Sequence, residues 1–313
     1  MTNHPTGPWP LPLPPGEEPP MPPLSVWPTG QRDPAAQLRE AGCVPGTETD
    51  IDLIPPAIAA HAIATYTHPG DLVLDPDCGA GTVLVEALRA GRHTLGLTAR
   101  HRWWTLARAN ITATKAAGAW RDGSVLDARP TLLATIRAAG LVGRVGLVLT
   151  ALRTPTGDDA LGPDHDSSSA FDEQLSATVR YCEPLLRSGG HLVVVAHPRR
   201  HPDGALADLA TRLITAGASA GLVPVERCLA LTAALRGRRL ITRASFAERR
   251  AAARAKGAPI ALTAHREVLV FELAHDAELA AAAAGTSWPD DAVAAPRQRT
   301  IGAAYRPDGR RAA

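Results

Sequence analysis

The stretch from Asp71 to Gly91, DLVLDPDCGAGTVLVEALRAG, gathers the residue types able to hold a charged ligand. Leu72, Val73 and Leu74 form a short apolar run of strand character. Asp75, Pro76, Gly79 and Gly81 mark a tight turn, and Thr82 to Ala90 continue at helical spacing. Small residues in such a turn let the backbone approach a ligand closely, and the free amides of the following helix suit a carboxylate or a phosphate. The dinucleotide pattern G-x-G-x-x-G is absent, and so is the G-K-[ST] ending of a nucleotide triphosphate loop. No metal is expected. Cys43, Cys78, Cys182 and Cys228 stand far apart without a C-x-x-C pair and read as buried thiols, and His197, His201 and His265 lack metal-ligand spacing.

The elements that must position this turn alternate along the chain. Ile54 to Tyr66 has helical spacing after Pro55 and Pro56. After the turn come a strand at Thr94 to Leu97, a helix at Trp103 to Thr114 and a strand at Val145 to Leu149. A helix follows from Ala170 to Leu186, ending in the glycine stop RSGG, then a strand at His191 to Ala196. A helix from Gly204 to Ala216 and strands near Val223 to Leu231 and Glu267 to Leu273 complete the series. Alternation of this kind predicts an α/β fold with a mostly parallel sheet covered on both faces. Ligands of such sheets sit beyond the carboxyl ends of the strands, which is where the glycine turn lies.

The chain has 313 residues, a formal net charge of +2 and 45% hydrophobic residues, enough for one main domain with a sizeable core. The predicted organisation is a proline-rich disordered arm over residues 1–45, a main domain over 46–275 and an alanine-rich tail over 276–313. Within the arm, Pro34 to Ala41 has the pattern of one short helix, and the segment from Val26 and Trp27 up to Asp50 is able to lie across the fold. No apolar run reaches the roughly 18 residues of a spanning helix, and no signal-peptide pattern opens the chain, which together predict a cytoplasmic protein with no membrane partner. Net charge this small predicts no nucleic-acid binding by itself. Two local basic stretches do raise the question: HPRRHP with Arg199 and Arg200, and the segment holding Arg236, Arg238, Arg239, Arg243, Arg249, Arg250, Arg254 and Lys256 against Glu248. They read equally as a contact for DNA or RNA and as a solvated helical insert.

The glycine turn resembles the cofactor loop of S-adenosylmethionine-dependent methyltransferases. More narrowly, PGDLVLDPDCGAGTVLVEA is similar to the D-P-[FM]-C-G-[SI]-G-T-T motif of enzymes that methylate exocyclic amines of bases in DNA or tRNA. CEPLLRSGGHLVVV resembles the helix-turn-strand after their catalytic strand, and AHREVLVFEL resembles their closing strand. The resemblance spans roughly Ile54 to Leu273 and implies a Rossmann-like methyltransferase fold, a mostly parallel doubly wound sheet with one antiparallel strand. It implies S-adenosylmethionine as cofactor, with Asp75, Pro76, Asp77, Cys78, Gly79, Gly81 and Thr82 around its methionine end, Thr98 at the ribose and Ser124 at the adenine.

Four positions depart from the family pattern. Thr98 stands where a carboxylate ordinarily accepts both ribose hydroxyls, and Ser124 stands where an aspartate meets the adenine amine, with Asp122 or Asp127 able to substitute after a register shift. Trp103 and Trp104 fit packing better than adenine stacking. Where the family has an acceptor, two prolines and an aromatic, this chain has Thr150, Ala151, Leu152, Arg153 and Thr154. Thr150 is the remaining catalytic candidate, and Phe171 or Tyr181 would have to supply the ring. Arg153 would set a cation near a cationic cofactor, at roughly 4 kcal/mol for a 4 Å separation at an effective dielectric of 20. Asp77 replaces an apolar residue and either offsets Arg153, replaces a lost carboxylate or repels the methionine end. Four changes converging on one pocket predict a protein impaired in catalysis that acts as a binding module; the alternative is an active DNA or RNA amino-methyltransferase with a rearranged site.

Overall fold

The computed structural model describes residues 24–136, 140–153, 167–198, 206–254 and 261–276. The proline-dense run before residue 24, Thr154, Arg199, Arg200, His201, Lys256 and the tail beyond residue 276 lie outside them.

One large sheet organises the chain. Its strands are β1 (Val26–Trp27), β2 (Leu72–Asp75), β3 (His93–Thr98), β4 (Gly123–Asp127), β5 (Val145–Ala151), β6 (Leu186–Ala196), β7 (Leu222–Leu231) and β10 (His265–Leu273). A separate two-stranded ribbon is made by β8 (Ala234–Arg236) and β9 (Arg239–Ile241). The large sheet runs in the order β1-β7-β10-β6-β5-β2-β3-β4. β10 is antiparallel to both β6 and β7, and the other pairings are parallel. This is the Rossmann-like methyltransferase topology that the motifs imply. The helices are α1 (Pro34–Glu40), α2 (Pro56–Tyr66), α3 (Thr82–Arg89), α4 (His101–Ala116), α5 (Leu133–Ile136), α6 (Ser167–Cys182), α7 (Leu209–Ser219) and α8 (Phe246–Arg254).

Central β5 shows why the sheet needs cover on both sides. Its apolar residues alternate between two cores: Leu147 and Leu149 pack with Ile58, Ala59, Ala62 and Ile63 of α2, while Val145 and Val148 pack with Val179 of α6 and Leu213 of α7. A strand buried on both faces reads as a continuous apolar run rather than an alternating one, and VGLVL is such a run. α4 packs through Ala107 and Ile111 onto Leu84 and Leu88 of α3, closing the β3–β4 side.

Three expectations change. The glycine stop ahead of β6 is no break: the strand runs from Leu186, and a register shift against β5 between Val145 and Leu147 absorbs the irregularity. The seventh helix begins later than its pattern suggested, at Leu209, where Asp208 accepts from the Thr211 amide as its cap. The third change concerns residues 24–45, assigned to a disordered arm, which belong to the folded unit from residue 24 onward. β1 pairs with β7, Trp27 is 1% exposed, and its ring lies 4.5 Å from that of His61 and 6.5 Å from that of Tyr66. α1, the predicted short helix, is capped by Asp33, which accepts from the Ala36 amide. Buried Gln37 then ties the segment down: its amide donates to the carbonyls of Thr29 and Arg32, and its oxygen accepts from the Ala57 amide at the open start of α2. Proline density misled the reading because prolines clustered before residue 24 say nothing of a tryptophan that follows them. Among the described residues no helix is long and apolar enough to cross a membrane.

Trp27→Ala should therefore destabilise the whole domain by about 3–5 kcal/mol. Urea unfolding followed by far-UV circular dichroism measures this; loss of a disordered arm residue would leave the midpoint unchanged.

Candidate functional site

The glycine turn leaves β2 at Asp75 and enters α3 at Thr82. Gly79 and Gly81 have φ of 51° and 86°, in the left-handed region that glycine enters without a Cβ penalty. A Cβ on Gly81 would also come within 3.0 Å of Ala107 on α4. The Cys78 amide donates to the Leu97 carbonyl at 2.8 Å and the Gly81 amide to the Cys78 carbonyl at 2.8 Å, which ties the turn to β3 and to itself. Cys78 packs its thiol among Leu84, Leu88 and Ala107, and burial pushes its pKa well above the ordinary value. It is a core residue.

A strap formed by residues 43–54 crosses this turn, and its anchor is Asn110 of α4, which is fully buried. The Asn110 oxygen accepts from the Val44 amide at 2.7 Å, and its nitrogen donates to Thr47 Oγ1 at 3.0 Å and to the Ala80 carbonyl at 2.8 Å. A single amide side chain thus spans strap and turn. Arg102 adds a bond to Thr49 Oγ1, and Thr82 Oγ1 donates to the Ile54 carbonyl. Held at both ends, the strap has to place Asp50 over the turn.

Asp50 Oδ2 accepts from the Ala80 amide at 2.9 Å, the kind of bond this turn is built to offer an anion. The same carboxylate takes a two-pronged contact from Arg153, Nη1 to Oδ1 at 2.7 Å and Nη2 to Oδ2 at 3.0 Å. Arg153 Nε donates to the Asp77 carbonyl at 2.8 Å and lies 3.4 Å from Asp77 Oδ1. The pair is buried, with side-chain exposures of 13% for Arg153 and 2% for Asp50. A Cβ built on Gly79 would overlap both the guanidinium and the carboxylate, so the pair fills the space above the turn.

Charge in the cluster is unequal, with one guanidinium facing Asp50, Asp75 and Asp77. Burial opposes the charge on Arg153, but Asp77, Asp50 and Asp75 together outweigh it and hold its pKa above the ordinary value. Asp75 is the carboxyl left over. Burial pushes its pKa up to about 7, against the opposing pull of Arg153, the Asp77 amide and the Thr150 hydroxyl.

The remaining sequence-predicted residues divide. Thr98 ends β3, is buried, and spans to Ala128 through its carbonyl. Ser124 is not in the site: it pairs with Leu95 near the start of β4, because the strand covers Gly123–Asp127 rather than following a turn there. Asp127 is the residue beside Thr98 at the carboxyl end, with His101 Nδ1 at 3.7 Å, and Asp122 lies at the other end of the strand beside His93. Trp104 packs, its Nε1 donating to the Val125 carbonyl. Pro76 is buried in the turn. Thr150 points at Asp75, Leu152 joins the core, and the cavity lined by Asp77, Thr150, Ala151 and Arg153 measures only about 40 Å³. Small-molecule sites usually offer about 300–1,000 Å³.

These residues do not fit S-adenosylmethionine as they stand. The loop amide that would take a carboxylate already takes Asp50, the space over Gly79 is filled, and no carboxylate ends β3. Sequence reasoning missed Asp50 and Asn110. Both lie far along the chain from the turn, in a loop and a helix without any distinguishing pattern, and only Arg153 carried a signal, through the motif it replaces.

Two outcomes follow from the cluster. Arg153→Met should destabilise by about 3–5 kcal/mol, since it strands a buried carboxylate, and Asp50→Asn added to it should restore most of the loss while keeping an acceptor for the Ala80 amide; urea denaturation of both variants measures this. The pKa of Asp75 is raised on folding, so the folded chain holds a proton that the unfolded chain releases above its ordinary value. Stability should therefore fall as pH rises from about 4 to 7, by on the order of 4 kcal/mol from this group. Asp75→Asn should flatten that slope in unfolding curves taken across the window.

Comparison with known proteins bears on the same segment. A family model described as DNA methylase matches residues 26–107, from β1 through the turn into α4. Among solved structures, the chain is similar to TrmN from Thermus thermophilus at 16% identity and a TM-score of 0.45, covering 76% of this chain and 53% of that one, so it spans about half of TrmN's length. It is also similar to magnesium protoporphyrin IX methyltransferase from Synechocystis PCC 6803, solved with bound SAH, at 13% identity and a TM-score of 0.42, covering 76% of this chain and 85% of that one. Over its glycine turn and flanking elements the chain thus resembles the DNA methylases.

Proposed function

We propose that this protein is a methyltransferase-fold binding module whose cofactor turn is closed by its own side chains. The observation that carries the reading is the buried Asp50–Arg153 pair seated on Gly79 and the Ala80 amide. A carboxylate on the loop amide and a cation beside it take the places of the acid and the positive charge that an amino-acid ligand would bring. Because the pair is tethered, its effective concentration at the turn exceeds what a dissolved ligand reaches. Displacing it would uncover a buried cation and a buried anion together, which is costly. Thr150, Ala151 and Leu152 bring no carboxylate or amide side chain to orient an amine where the family motif has its acceptor.

A second reading, an active amino-methyltransferase of DNA or RNA, is favoured by the family match over residues 26–107 and by the retained glycine turn. It requires the strap to lift Asp50 away before cofactor enters.

Calorimetric titration with S-adenosylmethionine and with S-adenosylhomocysteine separates the two. The closed-turn reading expects no heat of binding at millimolar ligand. Micromolar affinity, about −8 kcal/mol, together with methyl transfer to DNA or tRNA, would establish the second reading instead.

A further inference from the structure

Between β7 and β10 the chain leaves the sheet to build the β8–β9 ribbon and α8. We propose that this excursion is a surface that holds the phosphodiester backbone of nucleic acid, acting without methyl transfer. The proposal rests on the binding-module reading and names its partner.

Charge placement is the first argument. Residues 234–254 hold seven arginines and one glutamate, although the whole chain has a net charge of only +2, so the rest of the molecule is net negative. A polyanion approaching such a molecule is oriented toward one side. Cross-strand pairing then concentrates the charge: Arg236 stands directly opposite Arg239, with Arg238 in the turn between them, and all are exposed. Like charges placed opposite each other destabilise a ribbon, and an anion lying across the pair removes that cost. α8 adds exposed Arg250 and Arg254, one helical turn apart, beside Arg249.

The guanidiniums are positioned but not neutralised. Among the described residues their hydrogen bonds go to uncharged acceptors: Arg236 to Gln31 Oε1 and the Leu235 carbonyl, Arg243 to the carbonyls of Gly30 and Gln31, and Arg249 to the Ala244 carbonyl. Glu248, the single acid of the segment, caps its own helix by accepting from the Ser245 amide. Asp33 nearby feels Arg243 only at a distance. Forks held in place with their charge available suit bidentate contact with phosphate.

An anionic membrane fits less well. A helix that lies in a lipid surface needs a broad apolar face, whereas α8 carries Phe246 as its one large apolar side chain, with the Arg250 guanidinium 5.7 Å from the ring centroid. Leu235 and Leu240 pair on the ribbon, one residue along from the Arg236–Arg239 pair and so on the opposite face. The excursion also borders a cavity of about 430 Å³ shared by Arg243, Glu248 and Asp50, so the basic surface leads toward the closed turn.

Fluorescence anisotropy of the full chain with a labelled DNA duplex of arbitrary sequence, titrated between about 50 and 200 mM salt, tests this. The expected result is binding whose logarithm falls linearly with log salt at a slope of about −3 or steeper. The triple variant Arg236→Gln/Arg238→Gln/Arg239→Gln and the charge reversal Arg250→Glu/Arg254→Glu change exposed side chains, and circular dichroism checks that both stay folded. Each should bind at least roughly tenfold more weakly, and the triple variant should lose about two units of slope or more. The proposal is overturned if the wild type ignores the duplex at low salt, if the variants bind like the wild type, or if the protein takes phosphatidylserine vesicles in preference to the duplex. Failure of the duplex arm with no heat from S-adenosylmethionine removes the surface and leaves the closed-turn reading standing. Loss of duplex binding in the variants together with strong cofactor binding removes the closed-turn reading and leaves the surface.

Discussion

Asp50 and Arg153 meet over the glycine turn with almost no water around them, and most of what is distinctive in this structure depends on that contact. An ion pair taken out of solvent is stable only where geometry is good and the remaining polar atoms find partners. Here the Ala80 amide and the Asp77 carbonyl supply those partners. The strap must run over the turn to bring Asp50 there, Asn110 must be buried to hold the strap, and the turn must be glycine where the pair presses on it. Asp75, third among the carboxyls, keeps a proton to higher pH because it is buried and the pull of the shared guanidinium does not offset that burial.

The sheet order, the antiparallel β10 and the turn after β2 are those of a methyltransferase, and they are intact. A fold does not settle what is done on it. A turn whose amides favour an anion will accept one from any source, including its own chain, and a tethered carboxylate has no translational freedom to lose. The contacts that cover the turn come from three side chains: an acid on the strap, an arginine after β5 and an aspartate within the turn. The cavity beside Thr150 measures about 40 Å³, while a larger one of about 430 Å³ lies beside Asp50 and Arg243, next to the arginine-bearing ribbon and helix.

What could be read from the chain and what could not follows a physical division. Local patterns and short-range sterics were legible: the apolar run of β5, the glycine turn between β2 and α3, the helix after Pro55 and Pro56. The misreadings share one cause. Ser124 was placed by analogy to a turn that is here a strand, because Gly123 looks like punctuation while it pairs with Thr94. Trp27 was counted with its proline neighbours although β7 and α2 bury it. The β8–β9 ribbon went unseen inside a segment whose arginines conceal a three-residue strand period.

By itself the sequence determined the α/β class, the position of the glycine turn and the absence of the motif residues expected after β5, since each depends on residues close together along the chain. Tertiary structure alone decided that Arg153 is neutralised rather than exposed to the turn, because its partner Asp50 lies 103 positions away and reaches it only through the strap held by Asn110. The sign of an electrostatic effect depends on which charges share a low-dielectric space, and that sharing is fixed by packing.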